Sequence, residues 1–143
     1  MPTILITGGS RGLGQALVSR YLLQPNNTVI AANRSPSPLS LPSHPTSTLI
    51  VLLYDAASPT AASALIKALA DKHDITHLDV VIANAGIMRA FPLVRDVTQD
   101  QIIEHLQVNV FGVVSLYQAA RELLLKGDKP VFAAMGSGAG SLG

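Results

Sequence analysis

The 143-residue sequence contains no cysteine and no tryptophan, and aromatic residues make up only 4% of it. Without cysteine the chain can form no disulfide bond, no thiolate nucleophile and no cysteine-ligated zinc site. Charged residues are also few, at 13%, and the formal net charge is +1 with both signs scattered along the chain. Binding to nucleic acid or to an anionic membrane needs concentrated positive charge, so neither partner is expected.

Long apolar runs are absent as well. No run approaches the roughly 20 residues of a membrane-spanning helix. The first predicted strand begins at Thr3, which leaves no room for a signal segment, and we therefore expect a cytoplasmic protein. Apolar residues nevertheless make up 48% of the chain. That fraction and this length suit one compact domain, residues 1–143.

A glycine-rich stretch follows the first apolar run, residues 4–6. It reads Thr7-Gly8-Gly9-Ser10-Arg11-Gly12-Leu13-Gly14. Gly8 allows a tight turn, Gly12 lets backbone N–H groups approach a pyrophosphate, and Gly14 lets the next helix pack closely. That helix, predicted at residues 15–23, would direct its N-terminal dipole at the phosphates. The stretch predicts a nucleotide-phosphate site, and a plain turn between strand and helix is the alternative.

Short apolar segments alternate with helical ones along the rest of the chain. Strands are predicted at residues 3–6, 28–32, 49–54, 78–83 and 130–135, and helices at 15–23, 58–73 and 98–126. Thr98 and Gln101 have the spacing of a capping box at the start of the last helix. This order predicts an α/β fold with a doubly wound parallel sheet, which binds ligands at the carboxyl ends of its strands.

Two segments have further features of their own. Residues 35–48 contain Pro36, Pro38, Pro42 and Pro45, which exclude a regular helix and predict an extended surface excursion. The strand at 49–54 is apolar on both faces, which is typical of a buried parallel strand.

Polar residues occur at the ends of the predicted strands and within the long helix. They are Asp55, Asn84, Ala85 and Gly86 as a turn, Asn109 in the helix, and Ser137 after strand five. Together with the Thr7-Gly8-x-x-x-Gly12-x-Gly14 stretch, they resemble the motifs of the classical short-chain dehydrogenase/reductase family. The resemblance extends from Thr3 to the end of the sequence. It corresponds to the amino-terminal part of that family's Rossmann fold, ending after the fifth strand.

The resemblance implies a role for each of these residues. Gly8, Ser10, Arg11, Gly12, Leu13 and Gly14 would bind the cofactor, Asp55 would meet the adenine, and Asn84, Ala85 and Gly86 would line the cofactor and brace the sheet. Asn109 would hold a proton-relay water, and Ser137 would orient the substrate carbonyl. Residues 77–86 and the tail at 139–141 most resemble ketoreductases related to the fungal norsolorinic-acid reductases.

Each residue also has a simpler interpretation. Asp55 could cap the turn before Pro59, and the turn at Asn84 could merely end a strand. Ser137 stands among glycines, as a flexible linker would, and Gly136 replaces the family's usual paired serine. Asn109 discriminates best, because an amide among apolar helix neighbours opposes helix propensity and needs a partner or a task.

The choice of cofactor depends on the residues after strand two. NAD-specific sites place Asp or Glu there, whereas this chain has Asn33 and Arg34. Arg34 and Arg11 offer guanidinium groups that suit a 2'-phosphate, so the sequence predicts NADP. The alternative for Arg34 is a solvated surface arginine.

The family's Tyr-x-x-x-Lys pair, which protonates the carbonyl oxygen, is missing from this sequence. Tyr117 and Arg121 imitate the spacing, but Tyr117 lies about 12 Å along the helix from Asn109. We interpret it as a core or interface aromatic. His44 lies in the proline-rich segment, His73 and His77 flank a turn, and His105 has no second ligand four residues on, so no metal is expected.

Two functions remain open at this stage. One is an NADP-dependent reductase of a small-molecule carbonyl or alcohol, homo-oligomeric when intact, of which this chain is the cofactor-binding part. The other is a non-catalytic dinucleotide-binding module. We also expect strand five to be an edge strand, with Val131, Phe132 and Met135 poorly covered and prone to association.

Overall fold

Five parallel strands form one sheet in this computed structural model, which describes residues 1–35 and 37–138. Pro36 and the predicted tail at 139–143 lie outside the described residues. The elements in chain order are β1 (Thr3–Thr7), α1 (Gly12–Leu22), β2 (Thr28–Asn33), β3 (Thr48–Leu53), α2 (Ala61–His73), β4 (Val80–Ala83), α3 (Gln99–Leu106), a π-helical segment (Gln107–Phe111), α4 (Gly112–Leu124) and β5 (Val131–Ala134). The predicted doubly wound α/β fold is confirmed.

The order of the strands creates a crevice at one point of the sheet. Neighbouring strands run β3-β2-β1-β4-β5, so the chain builds outward from β1 in one direction and then returns to its other side. Ile4 of β1 is in register with Val29 of β2 and Val80 of β4. At such a reversal the loops leaving β1 and β4 diverge, and a ligand can enter between them.

Helices cover both faces of the sheet because successive strand side chains point in opposite directions. Ile4 and Ile6 of β1 are buried against α1, together with Val18 and Leu22 of that helix. Leu5 faces the other layer, which α2 and α4 form. Its fully buried partners there include Leu65, Leu69, Leu78 and Leu116.

β3 and β5 form the two edges of the sheet, and the sequence predicted this position for β5 but not for β3. β5 is an edge strand as expected, and Val131 and Met135 are 49% and 45% exposed. Phe132 is better covered than expected, because it is partly buried against the core. The interpretation of β3 as a buried strand is wrong, because β3 forms the opposite edge and Leu53 is 61% exposed. Its apolar residues are half-covered by packing that includes the proline-rich segment, whose Leu39 and Leu41 join the α1 layer.

Helix boundaries shift from the predicted ones by a few residues. α1 begins at Gly12 and α2 at Ala61, each three residues from the expected start. The capping box is confirmed, since the Gln101 N–H donates to Thr98 Oγ1 and the Thr98 N–H donates to Gln101 Oε1. The helical region predicted over 98–126 is found at 99–124, and within it a π-helical segment that the sequence did not predict separates α3 from α4. Such segments add a residue to one turn and are frequent at functional sites.

Candidate cofactor site

A cavity of about 600 Å³ opens at the carboxyl ends of the strands, where the sheet order reverses. Its wall includes most of the residues that the sequence predicts to bind a cofactor: Gly8, Ser10, Arg11, Gly12, Leu13, Gly14, Arg34, Asp55, Asn84, Ala85 and Gly86. These residues come from the glycine-rich loop and from the ends of β2, β3 and β4. The fold therefore brings together groups that lie more than 70 positions apart in the sequence.

At its glycines, the glycine-rich loop exposes backbone atoms to this cavity without a shielding side chain. Gly12 has φ +56°, and a Cβ added there would meet no atom within 4 Å, so the loop is open on that side. A Cβ on Gly14 would lie 2.0 Å from the Gly8 carbonyl oxygen, which only glycine avoids. In the described part of the chain no side chain caps the start of α1, and its first turn carries no acidic residue. Its N-terminal N–H groups thus suit an anion.

Asn84 joins the end of β4 to the glycine-rich loop. Its Nδ2 donates to the carbonyl oxygens of Thr7 at 3.0 Å and Gly8 at 3.2 Å. The backbone N–H groups of Asn84 and Ala85 both donate to Thr7 Oγ1, at 3.1 and 3.0 Å. The Asn84 turn does more than end a strand, because it also hydrogen-bonds to the end of β1 and the start of the glycine-rich loop.

Two arginines contribute positive charge to the cavity. Arg11 enters from the glycine-rich loop, and Arg34 follows the end of β2 beside Ser35. Asp55 is exposed at the rim, and its Oδ1 accepts a hydrogen bond from the Ala57 N–H at 3.0 Å. That contact is the turn-capping role that the sequence analysis gave as the alternative for Asp55.

Asn33 does not lie in the cavity wall. Its side chain is 1% exposed beneath the glycine-rich loop, where a Cβ on Gly9 would come within 3.5 Å of its Oδ1. Neither Oδ1 nor Nδ2 has a hydrogen-bond partner among the residues that the structure describes. Buried amides without a partner are rare and costly, so this one marks a place where the loop and β2 are not optimised for stability alone.

Tyr54 lines the cavity, and sequence reasoning missed it. The side chain is 3% exposed, and its hydroxyl donates to the Gly112 carbonyl oxygen at 3.3 Å. Burial, together with the negative charge of Asp55, raises the pKa of Tyr54 to about 12. The phenol is therefore neutral at physiological pH and links β3 to the start of α4. Its position directly before Asp55 was the available signal.

Asn109 lies in the π-helical segment and holds the loop that follows Gly86. Its Oδ1 accepts from the Ile87 N–H, and its Nδ2 donates to the Ile87 carbonyl oxygen, both at 2.8 Å. The amide thus has the partner that its helical surroundings required. An amide oxygen has a second lone pair and an amide nitrogen a second hydrogen, so the group retains capacity for one more contact on each side.

Ser137 and Tyr117 lie apart from the cavity wall. Ser137 is exposed two residues beyond Met135, whose N–H still pairs with the Ala83 carbonyl oxygen of β4. Tyr117 lies on α4 and packs edge-on against Phe132, with ring centroids 5.2 Å apart. Phe132 is in register with Val81 in the middle of β4, so Tyr117 is beside the body of the sheet and not at its carboxyl end.

A polar cluster between β4 and α3 was not anticipated from the sequence. Arg89 and Glu104 form an ion pair, and both line the cavity. The Arg89 N–H donates to His105 Nε2 at 3.1 Å. The signal that could have found this cluster is the four-residue spacing of Gln101, His105 and Asn109 on one helix face. In the described residues no group of histidine or acidic side chains could hold a metal ion.

Comparison with known proteins identifies the family of this chain. The family model described as short chain dehydrogenase matches residues 2–143, so the chain belongs to the short-chain dehydrogenase family. It is 40% identical to the norsolorinic acid ketoreductase of Dothistroma septosporum over 85% of this chain and 47% of that protein. It is 36% identical to the norsolorinic acid ketoreductase of Emericella nidulans over 93% of this chain and 52% of that protein.

A solved structure supports the fold in the same way. NADPH-bound carbonyl reductase from chicken fatty liver superimposes with a TM-score of 0.85 at 24% identity, over 99% of this chain and 62% of that one. The chain spans about half the length of the curated relatives that it matches. No helix in the described part of the chain is both long and apolar enough to cross a membrane.

Proposed function

We propose that this chain is the NADP-binding portion of a short-chain reductase that reduces a carbonyl or oxidises a secondary alcohol. The observation that carries the proposal is the pair Arg11 and Arg34, which line one cavity beside an open helix N-terminus. No carboxylate follows β2, where an NAD-specific site would use one to bind the ribose. We expect a cytoplasmic enzyme that is homo-oligomeric when intact.

Different residues of the cavity would bind different parts of the dinucleotide. The backbone of the glycine-rich loop from Gly8 to Gly14, including Ser10 and Leu13, and the N-terminus of α1 would hold the pyrophosphate. Arg11 and Arg34 would hold the 2'-phosphate, because a guanidinium group matches phosphate oxygens with two parallel N–H donors. Asp55 at the rim would meet the adenine, and Asn84, Ala85 and Gly86 would border the remainder of the cofactor. Asn33 does not line the cavity, so it would affect cofactor binding only indirectly, by supporting the glycine-rich loop at Gly9.

The nicotinamide, when bound, supplies or accepts the hydride. Ser137 would orient the substrate carbonyl, and Asn109 would hold a water for proton relay through its spare hydrogen-bonding capacity. No Tyr-x-x-x-Lys sequence occurs among the 143 residues, so no positioned acid accompanies them. General acid assistance typically contributes about 10²- to 10⁴-fold, and we therefore expect cofactor binding without reduction at a family-like rate. The second candidate function is a non-catalytic dinucleotide-binding module, which would use the same cavity.

Two measurements test the proposal and separate the candidates. The first is titration with NADPH and NADH, followed by the fluorescence of the reduced nicotinamide, in which NADPH should bind more tightly. Equal dissociation constants would contradict the assignment of the cofactor. The second is NADPH oxidation with a panel of ketones and quinones after the chain is joined to the carboxyl-terminal half of a fungal relative. Turnover supports the reductase, and tight binding without turnover supports the binding module.

A further inference from the structure

The segment after Gly86 is held to the long helix at regular intervals. Asn109 binds the backbone of Ile87, and His105, one turn earlier, binds the backbone of Arg89. The same imidazole contacts the Gln101 carbonyl oxygen with its Nδ1 at 2.7 Å. One face of the helix thus fixes alternate residues of the loop, and His105 is the titratable member of that row.

The partners of His105 determine its tautomer. A carbonyl oxygen can only accept, so Nδ1 must carry a hydrogen toward Gln101. A backbone N–H can only donate, so Nε2 must offer its lone pair to Arg89. The imidazole is therefore neutral in this arrangement. Protonation would place a hydrogen on Nε2 against the Arg89 N–H and remove that bond.

The contact reaches the cofactor cavity through Arg89. The Arg89 guanidinium pairs with the Glu104 carboxylate, and both side chains line the cavity with Gly86 and Ile87. A phosphate-bearing ligand would be repelled by an unpaired carboxylate in that wall. The backbone bond from Arg89 to His105 fixes the point from which this guanidinium extends, so it favours the pairing of Arg89 with Glu104.

Building on the proposed function, we propose that His105 is a positioning residue of the cofactor site. Its neutral imidazole holds the loop at Arg89 so that the Arg89–Glu104 pair closes the wall beside Gly86, and its protonation releases the loop and weakens dinucleotide binding. Among the described residues, the charged groups joined to this contact are Arg89 from the loop, whose N–H binds the imidazole, and Glu104 from the same helix, which pairs with Arg89. A positive imidazole would by itself attract the phosphates, so weaker binding in acid reports the release of the loop and not the added charge.

The first test needs no cofactor. Hydrogen exchange of the Arg89 amide is compared in the wild-type chain, His105→Ala and His105→Gln. Glutamine retains an amide oxygen that can accept from Arg89 but does not titrate. We expect exchange at Arg89 to quicken about 3- to 10-fold in His105→Ala and to recover in His105→Gln, the change that one neutral hydrogen bond implies. Unchanged exchange in His105→Ala would show that His105 does not hold the loop at Arg89, and would overturn the proposal.

The second test asks whether the contact between His105 and Arg89 affects cofactor binding. NADP⁺ binding is measured by calorimetry near neutrality and in mild acid for the same three proteins, with His73→Gln, at the far end of α2, as the matched control. The 2'-phosphate also titrates in this range, so the readout is the ratio of wild-type to His105→Gln dissociation constants. We expect this ratio to rise about 3- to 10-fold on acidification, with His73→Gln like wild type.

The possible results separate the two proposals. A flat ratio, or tighter wild-type binding in acid, overturns the role of His105 and leaves the proposed function intact. No binding of NADP⁺ to any of the proteins near neutrality overturns both. Thermal unfolding of each variant, measured alongside, identifies a protein that has lost its fold. If His105→Ala is lost, the ratio of wild-type to His105→Gln dissociation constants, near neutrality and in mild acid, decides the outcome.

Discussion

The side-chain amide of Asn109 binds both the N–H and the carbonyl oxygen of Ile87, 22 positions away, at 2.8 Å each. This paired contact accounts for an amide between the apolar neighbours Val108 and Val110, and it occurs in the π-helical segment. The contact ties the helix to the first residue after the Gly86 turn. Ile87 also lines the cavity, so the shape of the cavity at that end depends on this contact between the loop and the helix.

Asn109→Leu should destabilise the protein by about 1 to 2 kcal/mol, because two hydrogen bonds to backbone groups are lost at once. The measurement is chemical denaturation followed by circular dichroism. Gln107→Leu is the matched control, since Gln107 is exposed in the same π-helical segment and its substitution changes polarity similarly. Equal effects of the two substitutions would show that the Ile87 contact contributes nothing beyond local helix propensity.

Arg34→Asp should remove or invert the preference for NADPH over NADH. Charge-assisted contacts to a phosphate contribute about 1.5 to 3 kcal/mol each, so NADPH affinity should fall roughly 10- to 100-fold with little change for NADH. The measurement is the pair of dissociation constants in wild type and variant at fixed ionic strength. Arg121→Asp on α4, which changes the net charge equally, is the control. A similar loss in that variant would assign the effect to overall charge.

Joining the chain to the carboxyl-terminal half of a fungal ketoreductase should create turnover that the chain alone lacks. In that chimaera Ser137→Ala should nearly abolish NADPH oxidation, whereas Tyr117→Phe should leave it close to wild type. The reason is position, since Tyr117 packs against Phe132 beside the middle of the sheet. Robust turnover by the chain alone that is lost on Tyr117→Phe would show that Tyr117 is the acid after all.

Tyr54 should make the fold sensitive to alkali. The pKa of its phenol is 10.0 in the unfolded reference and about 12 in the folded protein. Above pH 10.0 the unfolded chain loses this proton first, so the folded state binds more protons and its stability falls as pH rises toward about 12. Below that window the contribution is fully present.

The measurement is the thermal midpoint against pH for wild type and Tyr54→Phe. The variant should lose about 1 kcal/mol at neutral pH, where the hydroxyl bond to Gly112 is missing, and should decline less steeply in alkali. Tyr117→Phe, which removes an exposed phenol, serves as the reference. If the thermal midpoints of wild type and Tyr54→Phe fall in parallel above pH 10.0, ionisation of the buried Tyr54 phenol is not the cause of the alkaline destabilisation.

The sequence predicts the local elements well because their signals are local. The apolar runs, the glycine spacing from Gly8 to Gly14 and the Thr98–Gln101 capping box each act within a few residues. The strand at β3 shows the limit of such patterns. An apolar run reads the same whether the strand is central or at an edge, and only the pairing of strands places β3 beside β2 alone.

What the sequence by itself determined is the family, the alternation of strands and helices, and the set of loops that reach the cavity. The tertiary structure alone decided that Asn33 turns under the loop, that Tyr54 is buried against Gly112, and that Arg89 meets His105 and Glu104. Each of those relationships joins elements 15 or more positions apart or depends on which face of a strand is covered. Pairings of that kind follow from how layers pack, and packing energies depend on all neighbours at once.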